Sequence, residues 1–137
     1  MITAEGLNLI LDIVFVDEPK PSAFYVGLIN ATGYTGVSAL DTMASHLGWT
    51  ELTAYDESTR PQVTFGNPSG GTVTNPAIVQ FTPNASSTCV GYFITTNATK
   101  GGTSGYLIAI GSFAEGTQSL VSGVAESFTA NISGSSN

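Results

Sequence analysis

The chain has 137 residues, enough for one domain, and its 3 basic and 10 acidic residues give a net charge of −7. So few cations cannot neutralise many phosphates, which argues against binding to nucleic acid or to an anionic membrane. The single cysteine excludes an intrachain disulfide, and no run reaches the ~20 apolar residues of a membrane span. The first residues lack the basic segment of a secretory signal, so we expect no such signal here. Charged residues make up 9% of the chain, against about 25% in an average domain, which suits a subunit packed into an assembly.

Residues 1–21 are predicted to form a helical arm followed by a proline linker. Thr3 suits the N-cap and Glu5 the first turn, whereas Gly6 lowers helix propensity by up to ~1 kcal/mol relative to Ala. Apolar residues then follow at the spacing of one helix face: Leu7, Ile10, Leu11 and Val14. The run 13–16, three of whose four residues are β-branched, also allows a strand. The prolines of Asp17-Glu-Pro-Lys-Pro require an extended break after it.

Residues 22–137 have the pattern of a single β domain. Strands are predicted at Phe24-Tyr-Val-Gly-Leu-Ile and over 62–65, 72–74, 78–81, 90–95, 106–113 and 125–132, separated by Gly-, Pro- and Asn-rich turns. One short helical turn, capped by Asp41, is predicted over 41–47, and the tail 134–137 is expected to be frayed. Roughly six to eight short strands at this spacing indicate a mainly β fold, a β-sandwich or jelly-roll-like domain with an N-terminal helix.

Few residues are equipped for nucleophilic catalysis. A triad from Asp41, Ser45 and the only histidine, His46, is conceivable, but adjacent residues in a helical turn point about 100° apart. The sequence also lacks the Gly-x-Ser-x-Gly elbow, so His46 is predicted to be a loop histidine near Trp49. Cys89 begins a predicted strand, where a small buried hydrophobic side chain is expected.

The acidic residues offer no better basis for catalysis. Asp17-Glu18 and Asp56-Glu57 are the adjacent pairs, and neither faces another carboxylate across the ~5 to 9.5 Å that glycosidases need. We interpret them as solvated loop acids, with a loop calcium site as the alternative. Zinc and iron–sulfur ligand sets are absent from the sequence. We therefore expect a non-enzymatic protein without cofactor or metal.

Aromatic side chains in the irregular stretch 30–60 are candidates for an interface. Tyr34, Trp49 and Tyr55 lie there, and amphipathic rings in loops often anchor protein contacts. A carbohydrate platform would use the same residue types, so both readings stay open. With the helix face they complete the predicted interface set: Leu7, Ile10, Leu11, Val14, Tyr34, Trp49 and Tyr55.

The order of the segments is informative in itself. An N-terminal helix opened by Thr3-Ala-Glu-Gly and a proline linker precede the strand Phe24-Tyr-Val-Gly-Leu, and Glu126-Ser-Phe-Thr-Ala-Asn-Ile closes the β region. Between them lies Asp41-Thr-Met-Ala-Ser-His-Leu-Gly-Trp-Thr-Glu-Leu, followed by Tyr55 and Arg60-Pro61. Over nearly its whole length this arrangement resembles small virion proteins of tailed double-stranded DNA phages.

The resemblance implies a capsid decoration, or cement, protein on the outer surface of the virion. Such proteins are commonly sandwich or jelly-roll dimers or trimers that tie neighbouring major capsid protein subunits together. The expected partners are therefore the major capsid protein and further copies of this chain. One alternative is a phage tail or fibre module that binds a cell-surface receptor or glycan. Another is a small hydrolase that uses His46, Asp56 or Glu57.

Overall fold

A computed structural model describes residues 1–134. The chain is mainly β, with 34% strand and 10% helix, which confirms the predicted mainly β class and the N-terminal helix. The helix α1 spans Ala4–Leu11 and continues as a π-helical segment, Asp12–Val16. The strands are β1 Phe24–Asn30, β2 Glu51–Leu52, β3 Gln62–Val63, β4 Thr72–Thr74, β5 Val79–Phe81, β6 Ser87–Thr95, β7 Leu107–Ser112, β8 Gln118–Leu120, β9 Glu126–Phe128 and β10 Asn131–Ser133.

Six strands form the central antiparallel sheet. β1 pairs with β6 on one side and with β2 and β3 on the other, while β6 pairs with β7 and β8 along successive parts of its length. Gly27 on β1 lies opposite Phe93 on β6, and a Cβ at Gly27 would come within 2.2 Å of that ring. Glycine is therefore required at this position, because the aromatic ring occupies the space of a side chain.

Both faces of the central sheet are covered by apolar side chains. On one face Val26, Leu28 and Ile94 pack with residues of the small sheets β5–β9 and β4–β10. On the other face the loop 31–50 covers a second cluster, which consists of Ile29, Met43, Trp49, Phe93, Leu107 and Ile110. This double burial explains why the middle of β1 is a continuous apolar run rather than an alternating pattern.

The N-terminal segment packs along β7. Thr3 is the N-cap as predicted: its hydroxyl accepts a hydrogen bond from the Gly6 amide at 3.0 Å and donates to the Leu107 carbonyl. Ile2 bridges to Ala109, so residues 1–3 cover the edge of β7. A Cβ at Gly6 would lie 2.2 Å from the carbonyl oxygen of Ile108, so glycine permits close helix packing. None of the helices within residues 1–134 has the length and apolarity needed to cross a bilayer.

Some local predictions were confirmed in part and others were wrong. The predicted helix continues through 13–16 as a π-helical segment, and the alternative of a strand there does not form. The segment 41–47 contains turns and a Thr42–Ser45 bridge rather than the predicted helical turn. The Asp41 carboxylate accepts hydrogen bonds from the Ser38 amide and the Trp49 indole and does not cap a helix. β2 and β8 were not predicted, and 125–132 divides into β9 and β10 because the two halves pair with different strands. The predicted frayed tail lies, after residue 134, outside the described residues.

Candidate functional site

The outer side of the N-terminal helix carries an exposed apolar surface. Its members are exposed although each is a large hydrophobic residue, and we call them the outer patch: Leu7, Leu11, Val14, Phe15 and Val16. Phe15 is 78% exposed, and the patch offers on the order of 500 Å² of apolar area, at the upper end of what single-chain proteins usually expose. Leu7, Leu11 and Val14 belong to the predicted interface set, whereas Phe15 and Val16 were missed because the predicted helix face ends at Val14.

Three carboxylates surround the C-terminal end of this patch. Asp12, Asp17 and Glu18 are all exposed. Asp17 ends the π-helical segment in the left-handed region, with φ 64°, and the Glu18 amide donates to the carbonyl of Asp12 at 3.3 Å. The carbonyl end of a helix carries partial negative charge, so these acids add to a potential that is already negative.

The inner flank of the helix forms one wall of an apolar groove of about 500 Å³. Ile10, the fourth helix residue of the predicted set, lies there and is 40% exposed. The opposite wall is formed by the β4–β10 pair through Val73 and Ile132, and Lys20 is the charged residue at the groove. All four predicted helix residues are thus accessible on the folded subunit.

The aromatic members of the predicted set have different positions. Trp49 and Tyr55 are buried, so the folded chain does not present them to a partner, and the prediction that they are interface residues is corrected. Trp49 packs on Phe93 and its indole nitrogen donates to Asp41 at 2.9 Å. Tyr55 packs edge-on against Phe81. Tyr34 is half-buried and packs against the second cluster, which contains Trp49. Its hydroxyl lies 2.8 Å from the hydroxyl of Ser112.

A buried ion pair joins the loops near residue 100 to β2. Arg60 is 1% exposed and meets Glu51 through two hydrogen bonds, Nε to Oε1 at 2.9 Å and Nη2 to Oε2 at 2.7 Å. The guanidinium also donates to the carbonyls of Asn97 and Gly102 and lies over the Phe93 ring. The sequence contained no local signal for this pair, because Glu51 lies in a strand of only two residues and Arg60 lies in an irregular segment.

The Lys100 ammonium is also bound by groups of the same chain. It donates to the carbonyls of Tyr55 and Glu57 at 2.7 and 2.8 Å and lies 4.2 Å from the centre of the Tyr55 ring. Within the described chain the Tyr55 hydroxyl is buried without a hydrogen-bond partner. Burial, followed by the charge of Glu51, raises the pKa of Tyr55 well above its usual value. Two of the three basic side chains are therefore used in intramolecular contacts.

The residues considered for a triad have other contacts. His46 stacks on Trp49 with ring centres 3.8 Å apart, and its Nδ1 lies 3.0 Å from the Trp49 carbonyl oxygen, as expected for a loop histidine near Trp49. The Asp41 carboxylate points to the Trp49 indole. Cys89 is fully buried, as predicted, and burial raises the pKa of its thiol to about 11.

The predicted loop acids of the second pair differ from each other. Asp56 is exposed, whereas the carboxylate of Glu57 accepts a hydrogen bond from the Thr82 amide at 3.0 Å. Among residues 1–134 no cluster of three or more His, Cys, Asp or Glu side chains is arranged to hold a metal ion. Comparison with known proteins gives no family model that matches this chain and no curated protein with significant similarity.

Proposed function

We propose that this chain is a non-enzymatic virion structural protein that decorates the outside of a phage capsid and bridges major capsid protein subunits. The observation that carries the proposal is the outer patch: a small β domain keeps five large apolar side chains in solvent on a helix that is firmly packed on its own sheet. Burial of such a surface against a neighbour is favourable at about 25 cal/mol per Å², whereas exposure serves no purpose in an isolated subunit.

The charge distribution supports an outer location on the shell. With a net charge of −7 and two of its three basic side chains in intramolecular contacts, the chain is repelled by DNA, which suits a protein that faces away from the genome. A subunit present in many copies gains total binding strength by multivalency, so a modest patch per subunit is sufficient. Contacts between copies of the chain belong to the same proposal.

The test is made on phage heads with and without the chain. We expect heads that lack it to bind purified protein at hundreds of copies and to become more resistant to heat. A count of a few to tens of copies, located at the tail, would instead indicate the receptor-binding or glycan-binding alternative. Absence of binding to heads, with no gain in heat resistance, would overturn the proposal.

A further inference from the structure

The C-terminal half of the helix combines several features that each lower the stability of the free subunit. Val14, Phe15 and Val16 are 64%, 78% and 66% exposed. They lie in a π-helical segment. This geometry is rare in proteins as a whole, but many of its occurrences are at functional sites. Within residues 1–134 Asp17 is the only non-glycine residue with positive φ. Unfavourable backbone conformations cluster at functional sites, including sites that bind another molecule.

The charges of this segment add a further cost and also indicate the partner. Asp12, Asp17 and Glu18 lie at the negative end of the helix dipole, where basic residues would be stabilising and acidic residues are unfavourable. A neighbour with basic side chains around an apolar site would remove both costs at once. It would bury the patch and neutralise the three carboxylates.

A second copy of the chain offers only part of that chemistry, because its apolar groove has one basic side chain, Lys20, to meet three carboxylates. Arg60 is buried against Glu51, and Lys100 is bound to the carbonyls of Tyr55 and Glu57. The N-terminal ammonium donates to the carbonyl of Ile110 at 2.7 Å. Lys20 is the basic side chain left exposed, and it lies beside the copy's own acids, so two patches face to face would bring six carboxylates together.

We propose that the outer patch docks into an apolar groove flanked by lysine or arginine side chains on a different protein. This inference rests on the proposed function, in which that protein is the major capsid protein. Phe15 supplies the main apolar anchor of the contact, as aromatic residues do at the core of protein interfaces, and Val14 packs beside it. Asp12, Asp17 and Glu18 accept the flanking basic groups and set the orientation, because rim charges govern encounter and register.

The test measures binding of purified variants to heads that are assembled from the major capsid protein and lack this chain. Phe15→Ser is expected to weaken binding by roughly tenfold or more, because it removes an anchor that is exposed in the free subunit. Asp17→Lys with Glu18→Lys is expected to weaken binding about tenfold at low salt and to remove most of its salt dependence. Leu47→Ser and Glu115→Lys are the matched controls, since both residues are exposed elsewhere on the chain.

The outcomes separate this inference from the proposed function. If wild-type protein binds heads and both patch variants bind equally well, the docking inference is overturned and the proposed function stands. If wild-type protein does not bind heads, both fall. If the patch variants keep head binding but lose self-association in sedimentation experiments, the occupant is a second copy and the inference is wrong. Weakened head binding by both variants, with unchanged controls, supports it.

Discussion

Arg60 is the largest side chain that the fold buries completely, and one residue, Glu51, balances its charge. Two carbonyl groups and the Gly101 amide complete the hydrogen bonds of the pair. A buried ion pair contributes little compared with a well-packed apolar pair, but removal of one partner leaves an uncompensated charge in the interior. The pair therefore determines how the loops near residue 100 sit against β2.

Glu51→Gln tests this role directly. We expect it to lower the free energy of unfolding by roughly 3 kcal/mol, because Arg60 stays buried and loses its counter-charge. Urea denaturation followed by circular dichroism measures the change. Asp56→Asn is the matched control: its carboxylate is exposed, so its effect is expected within about 0.5 kcal/mol. An effect of Glu51→Gln as small as that of the control would contradict the structural role.

The position of Trp49 and Tyr55 shows what sequence reasoning at this scale misses. Both lie in a stretch without regular pattern, and a ring in a loop was expected to be accessible. Trp49 instead belongs to a loop that forms a layer of the core over the second face of the sheet, and Tyr55 packs in the cluster on the first face. No sequence period distinguishes a covering loop from a surface loop, whereas Cys89 was placed correctly because it belongs to a strand with a clear apolar pattern.

At the scale of elements, one close contact sets the distance between the N-terminal helix and β7. Gly6 is buried against Ile108, and the helix would have to move outward to accommodate any side chain there. Helix propensity alone gives the opposite expectation, because Ala is favoured over Gly by about 1 kcal/mol in a helix interior.

Gly6→Ala is therefore expected to destabilise the protein by roughly 2 kcal/mol, as overpacking of a close contact does. The measurement is again the free energy of unfolding in urea. Asn8→Ala in the same helix is exposed and is expected to be neutral or stabilising by a few tenths of a kcal/mol. If both variants are stabilised alike, propensity rather than packing controls this helix.

The elements that could be predicted from the sequence are those with a local signal. The Thr3 cap, helix α1 and strands β1, β6 and β7 follow from capping chemistry and long apolar runs. β2 has two residues and β8 has three, too few to show an alternation of apolar and polar residues. These strands form because β1 and β6 offer free edges. The π-helical segment, which carries the most exposed part of the outer patch, also has no local sequence signature.

At the scale of the whole molecule, one sheet carries both core layers. β1 contributes Leu28 to one layer and Ile29 to the other, and β6 contributes Ile94 and Phe93 in the same way. If the packing of one layer is lost, one face of β1 and β6 becomes exposed, and the other layer packs on these same two strands. We infer that the domain unfolds in one cooperative step, so that titration of a single buried group acts on the whole folding equilibrium.

Cys89 provides the test of that coupling. Burial, and then the charge of Glu126, raises the pKa of its thiol from 9.0 in the unfolded chain to about 11 in the folded protein. The unfolded chain therefore loses this proton first, and the contribution to stability is intact below pH 9 and is lost as the pH rises to about 11.

We expect the free energy of unfolding to fall by roughly 2 kcal/mol over that window. Unfolding is followed under reducing conditions by the fluorescence of Trp49. Cys89→Ala is the control, because it lacks the thiol but keeps every other side chain, and its stability should fall less. Parallel pH profiles for the two proteins, or a Trp49 transition that precedes the loss of β-sheet circular dichroism, would show that the two layers do not unfold together.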